Sequence, residues 1–169
     1  SEFASSLRNK ITKAEKIFTI EKSVALEPLL SLLKQTFDKQ NLKNKVSLNF
    51  LQNLVNAIKN NGAEYSVIYA KKEDVYVAGN FIVYDNACAY NLLAGANPKH
   101  LKGGAVPLII WEAISSASEK VNRFDFEGGL IEPIEVFFRS FGAQQLHYSR
   151  FIKTKNALTD FYLLLTGKI

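Results

Sequence analysis

The stretch AVPLIIWEAISSASEKVNRFDFEGGLIEPIEVFFRSFGA, residues 105–143, decides the fold. Val106, Ile109, Ile110, Ala113, Ile114 and Ala117 recur at helical spacing and predict the buried face of a helix. Pro107 is tolerated only in a first turn, so this helix begins near Gly104 or Ala105. RFDFEGG (123–129) predicts a short strand closed by a glycine turn. A second helix follows, with Pro133 early, Ile134, Phe137, Phe138 and Phe141 on its core side, and Gly142 at its end.

Upstream, EYSVIYA (64–70) is dense in β-branched and aromatic residues, and VYVAGNFIVY (75–84) and ACAYNLLA (87–94) follow it as further strands. The KKED turn and the Asp85-Asn86 pair join them into a three-strand meander, in which Gly79 marks a bulge or a close backbone approach. Before the meander, IFTIEK (17–22) predicts a first strand. Ser23 is expected to cap a helix faced by Leu26, Leu29, Leu30, Leu33 and Phe37. The polar linker DKQNLKNK follows, then a helix capped by Ser47, striped by Leu51, Leu54, Val55 and Ile58, and stopped at Gly62. Downstream, QQLHYSRFI (144–152) predicts a strand, and Asn156 a cap for a last helix with Leu158, Phe161, Leu164 and Leu165 inside.

A chain of 169 residues has enough length for one domain with a real core. No apolar run approaches the roughly 18 residues that span a bilayer, so no membrane partner is expected. Cys88 is the only cysteine, which excludes an internal disulfide, makes a reducing cytoplasm the default location and reads as core filler. The opening SEFASS and the absence of methionine suggest that residues 1–14 are a cloning remnant or linker, leaving 15–169 as the domain. Residues 1–62 carry ten Lys/Arg against five Asp/Glu, and residues 63–169 eleven of each. The net charge of +5 therefore sits on the early helices, where a solvated face explains it more simply than nucleic acid does.

GANPKHLKGGA (95–105) joins a strand to a helix start, where free N–H groups and the dipole favour an anion. Gly103 and Gly104 permit close approach, while Lys99, His100 and Lys102 add positive charge; the plainer reading is a loop with ordinary lysines. Asp125 and Glu127, two apart, would share one strand face as an acid/base pair, or else cap the strand end. His147 is a base or a hydrogen-bonded strand histidine.

The order strand, two helices, three-strand meander, helix, strand, helix, strand, helix resembles the GNAT superfamily of N-acyltransferases. That resemblance implies an α/β (α+β) fold with a mixed, mostly antiparallel sheet and helices on both faces. Trp111-Glu112-Ala113-Ile114, Phe124-Asp125-Phe126-Glu127-Gly128 and Phe137-Phe138-Arg139-Ser140-Phe141-Gly142-Ala143 resemble the second GNAT-like half of Fem-type proteins, the peptidoglycan-bridge aminoacyltransferases and their FemAB-like relatives. The resemblance implies a cytoplasmic transferase that moves an acyl or aminoacyl group onto a small-molecule or peptide amine. It also implies aminoacyl-tRNA as a co-substrate and a second GNAT-like half in the full-length protein. A free-standing N-acetyltransferase using acetyl-coenzyme A or another acyl-coenzyme A, and a non-catalytic GNAT-like lobe, are the alternatives; no metal is implied.

GNAT enzymes cradle the coenzyme A pyrophosphate in a Gln/Arg-x-x-Gly-x-Gly/Ala loop. In register, this chain has His100-Leu101-Lys102-Gly103-Gly104-Ala105, with histidine in the first place. The position of the family's proton-donating tyrosine is Phe138, and the usual Gly-Ser is Gly128-Gly129. Amide formation from an activated ester needs positioning, backbone N–H groups for the oxyanion and an acceptor for the amine proton. Leu92–Gly95 on a splayed strand would supply the amides, and Asp125, Glu127, His147 or Tyr148 would take the proton.

Overall fold

A computed structural model describes residues 3–128 and 131–146. The expected last helix and most of the expected 144–152 strand lie outside these residues; Gln144, Gln145 and Leu146 carry no regular structure and are exposed.

Five strands follow one another across a single sheet: β1 (Thr19–Ser23), β2 (Glu64–Lys72), β3 (Val75–Tyr84), β4 (Cys88–Ala96) and β5 (Arg123–Asp125). The first four pair antiparallel, and β5 runs parallel to β4 after a helical crossover. Strand alternation divides the sheet into two apolar faces. Val67, Tyr69 and Phe81 point to one face, which is covered by α2 (Glu27–Lys39) and α3 (Leu48–Asn60). Ile68, Ala70, Ala78 and Ile82 point to the other, under α4 (Ala105–Ser118). This is the mixed, mostly antiparallel sheet with helices on both faces that the family resemblance implies.

Helix α3 begins as expected, with the Ser47 hydroxyl accepting from the Phe50 N–H at 3.1 Å. Ser23 does not cap α2. Its hydroxyl accepts from the Ala25 N–H at 3.2 Å in a tight turn, and the helix starts at Glu27 with Pro28 in its first turn. Gly79 is a close approach rather than a bulge: a Cβ there would lie 2.7 Å from the Tyr69 ring. The bulges fall instead between Ala70 and Lys71 and opposite Phe81 and Ile82.

The largest departure is at the start of the chain. Residues 5–14, expected as remnant or linker, form helix α1 (Ser5–Ala14) with Leu7, Ile11 and Ala14 buried against α4. Their spacing makes one apolar stripe, and burial of each large side chain contributes about 1.5–3 kcal/mol. Phe3 stacks on Trp111 with centroids 5.0 Å apart, and the Ala4 N–H donates to the Ser140 carbonyl at 3.0 Å. The second contact ties α1 to the end of α5 (Glu132–Arg139). Because α4 is enclosed by the sheet and by α1, Pro107 and Leu108 are buried in addition to most of its expected face.

Candidate active site

The sheet opens on one side of β4. The β4–β5 ladder has three pairs, Cys88–Arg123, Ala89–Phe124 and Tyr90–Asp125, and stops there. Residues 91–96 remain paired with β3 on one edge and, among the described residues, with no strand on the other. A bulge sits at the parting: Phe81 faces Leu93 and Ile82 faces Asn91, so Leu92 is the extra residue. Its side chain is exposed, as is Ala94 two residues on. The sequence places its acyl-facing amides in this stretch, and a bulge there turns backbone groups out of the ladder.

The far end of β4 is held rigidly. Gly95 lies against α2 so tightly that a Cβ would be 2.5 Å from the Leu33 backbone nitrogen. Thr36 Oγ1 accepts from the Ala96 N–H at 2.8 Å and donates to the Leu32 carbonyl at 3.0 Å. The Asn97 N–H donates to the Val77 carbonyl at 2.8 Å, and its side-chain oxygen accepts from the Lys99 N–H, starting a 3-10 turn over Pro98–Gly103.

That turn brings His100, Lys102, Gly103, Gly104 and Ala105 together at the start of α4. Gly104 is left-handed, at φ +84°, and no side chain caps the helix. Pro107 has no N–H, which leaves Ala105 and Val106 as the first-turn donors. The glycines, however, are accounted for within the chain. A Cβ on Gly103 would lie 2.7 Å from the Phe18 ring, and one on Gly104 would lie 3.2 Å from Ala14 and from the Lys10 backbone. The room that sequence reasoning reserved for a ligand is taken by Phe18 and α1. Gly104 and Ala105 are buried, His100 is half-buried and Lys102 is exposed. Two uncapped amides beside an exposed ammonium still fit an anionic group such as a phosphate.

Asp125 and Glu127 do not share a strand face. β5 ends at Asp125, whose carboxylate accepts from the Glu127 N–H at 2.8 Å, while Glu127 adopts φ +53° in the turn. The pair shapes the exposed end of the strand. His147 and Tyr148 lie outside the described residues. Phe138 stacks on Phe126 with centroids 4.5 Å apart and would lie 2.9 Å from a Cβ on Gly128.

Three polar residues near the parting went unmarked in the sequence. Tyr90 donates to the Asp85 carboxylate at 2.9 Å, and this bond is the main cause that pushes its phenol up to about 12. Asp85 also accepts from the Ala87 and Cys88 N–H groups at 2.7 Å each; those bonds, then Tyr90, hold its carboxyl below the ordinary range. Asn80 and Asn91 are buried in the midst of apolar strands. An asparagine within each of two largely apolar strands was the available signal. Burial raises the Cys88 thiol above its ordinary value, as for a core residue.

A shallow cavity of about 420 Å³, lined by residues including Glu64, Tyr84 and Lys120, lies at the opposite end of α4. It is bridged by a Lys120–Glu64 ion pair at 2.6 Å. Among the described residues no three His, Cys, Asp or Glu side chains gather as a metal would require, and no helix is long and apolar enough to cross a membrane.

This arrangement recurs in solved proteins. FemX superposes with a TM-score of 0.70 at 13% identity, over 83% of this chain and 54% of its own, so the chain spans about half of FemX. An aminoglycoside acetyltransferase from an uncultured soil metagenomic sample, in complex with trehalose, gives 0.60 at 19% identity over 82% and 99%. A predicted acetyltransferase from Clostridium acetobutylicum, with acetyl-CoA, gives 0.62 at 12% identity over 81% and 96%. These identities speak for the fold alone, and no curated protein matches the sequence. The model of the Acetyltransferase (GNAT) domain matches residues 1–133, which take in α1, the meander, the bulged β4 and the α4 start, and by that match the chain belongs to the GNAT acetyltransferase family.

Proposed function

We propose that this chain is an acyl- or aminoacyltransferase domain that delivers an activated acyl group to a small-molecule or peptide amine. The observation that carries the reading is the end of the β4–β5 ladder at Tyr90 and Asp125, with the Leu92 bulge beside it. An extended acyl carrier enters such an opening as a missing strand does, bonding to the free backbone edge. Amides on that edge would hold the carbonyl oxygen as negative charge develops. The uncapped Ala105 and Val106 amides and Lys102 would receive the carrier's phosphates, whether of an acyl-coenzyme A or of the end of an aminoacyl-tRNA. When bound, the carrier supplies the activated acyl bond; the chain supplies position and charge. As the amide forms, the acyl–sulfur or acyl–oxygen bond to the carrier breaks; the amine proton goes to one of Asp125, Glu127, His147 or Tyr148, or to water, and the departing thiolate or ribose oxygen takes a proton from solvent.

The Trp111, Phe124–Gly128 and Phe137–Ala143 motifs support a Fem-type member, with aminoacyl-tRNA as donor, a second GNAT-like half and a role in cell-wall peptide synthesis in the cytoplasm. A second reading, a non-catalytic lobe, draws on the filled glycine positions and on Phe138, which has no proton to give. Calorimetric titration with acetyl-coenzyme A and with 3′-(glycylamino)-3′-deoxyadenosine separates them. Binding of either supports transfer and names the carrier. Lys102→Glu, at an exposed site, should weaken that binding about ten-fold without changing the melting temperature of the free protein. If neither carrier binds at millimolar concentration, the transferase reading fails and the lobe remains.

A further inference from the structure

Two asparagines interrupt the apolar layer on the α4 side of the sheet. Asn80 of β3 is 0% exposed and Asn91 of β4 is 6% exposed. Strand alternation sets Asn80 between Ala78 and Ile82, both in the core beneath α4, and pairs it with Ile68 on β2 and Ala94 on β4. Its Nδ2 donates to Asn91 Oδ1 over a long 3.4 Å. Among the described residues its Oδ1 is buried with no hydrogen-bond partner. A buried acceptor left in that state has lost water and gained nothing, and such groups call for an explanation.

The location supplies one. Asn91 is the first β4 residue beyond the last β5 pair, and Leu92 then bulges. Ala94, directly opposite Asn80 and on the same face, is exposed. The Asn80 amide thus sits one small side chain inward from the open edge of β4.

We propose that Asn80, steadied by Asn91, determines which acyl group the opening accepts: its free oxygen takes a hydrogen bond from an N–H or O–H on the acyl α carbon. The site then favours an aminoacyl or hydroxyacyl group over acetyl. This rests on the acyl-transfer reading above and adds the residue that selects the acyl class. Asn80 positions and selects; the bond-making atoms belong to donor and acceptor.

Glycyl, glycolyl and acetyl groups, carried on coenzyme A and separately as amides on 3′-amino-3′-deoxyadenosine, differ only at the α carbon. Calorimetry on the 169-residue chain should show glycyl or glycolyl held about ten-fold or more tighter than acetyl on the carrier that binds. Asn80→Leu keeps the asparagine shape among apolar neighbours, so it should bring that ratio close to one while the melting temperature holds or rises. The side-chain ¹⁵N resonances of Asn80 and Asn91 in the unmodified chain give a readout that survives a poorly folding variant; they should move with the glycyl or glycolyl probe and not with acetyl. Equal affinities for the three groups, an unchanged ratio in Asn80→Leu, or unmoved resonances at saturation would overturn the assignment and leave a buried water as the partner of Asn80. If no acyl group binds on either carrier, the transferase reading itself fails, an outcome distinct from equal binding, and this assignment goes with it.

Discussion

Ile11→Ala measures whether α1 belongs to the domain. Ile11 is 4% exposed, on a stripe with Leu7 and Ala14 that packs against α4. The substitution removes about three methylene equivalents, at ~0.8 kcal/mol each by transfer. A cavity term adds to this, because α4 and the sheet cannot close fully behind the lost atoms. The sum is about 3 kcal/mol, which for a domain of this length lowers the melting temperature by about 6–12 °C. Scanning calorimetry reads the shift directly. Hydrogen exchange adds a local readout: Lys10 and Ala14 lie on Gly104, so loosening α1 should speed exchange at the Ala105 and Val106 amides. A linker residue would change stability by less than about 0.5 kcal/mol. A melting point within about 2 °C of the parent, with unchanged exchange at those amides, would show that α1 is an appendage and refute the packing argument.

Gly95→Ala should destabilise the fold by about 1–3 kcal/mol, because its Cβ would meet the α2 backbone 2.5 Å away and a helix cannot yield as a side chain does. The same push should lengthen the 2.8 Å bond from Ala96 to Thr36 and speed Ala96 exchange; denaturation curves that superpose on the parent's would contradict it. Asp85 has a pKa lowered in the folded state, so its contribution to stability is present above the ordinary aspartate value of about 3.9 and is lost as pH falls through the lower folded value. Asp85→Asn should therefore be less stable than the parent at pH 6, and the gap should close below about pH 4; a gap independent of pH would mean that the hairpin does not depend on the ionised carboxylate.

The meander was legible to within two residues at each strand end, and its middle strand to the residue. β3 runs from Val75 to Tyr84 as expected, because strand propensity, the polar turn and Asp85-Asn86 all act within a few residues of one another. The start of α4 was legible to within a residue, since Pro107 is tolerated only in a first turn and the helix begins at Ala105. Helix α1 was masked by a cloning-like opening, although Leu7, Ile11, Ala14 and Phe18 already carried the helical stripe. The acidic pair failed for a geometric reason. Spacing of two implies one face only while the backbone stays extended, and the chain turns left-handed at Glu127. The orphaned oxygen of Asn80 depends on strands brought together by the meander and on a helix some 30 residues away.

The glycine pair at 103–104 shows why motif and site are separate questions. A glycine before a helix records that something passes close to the backbone there, not what passes. In this chain Phe18 and α1 pass there, so the glycines would be required even if no ligand ever bound. The case for transfer therefore rests on the opposite wall, where among the described residues β4 has no strand partner on that edge after Tyr90 and bulges at Leu92. Among the described residues β5 stops after three residues and no other strand lies along that edge. A β4 edge without a strand partner among the described residues, beside a buried amide whose oxygen has none, is the arrangement a bound acyl carrier would complete, and it predicts that a donor analogue slows exchange along residues 91–96 before it affects the glycines.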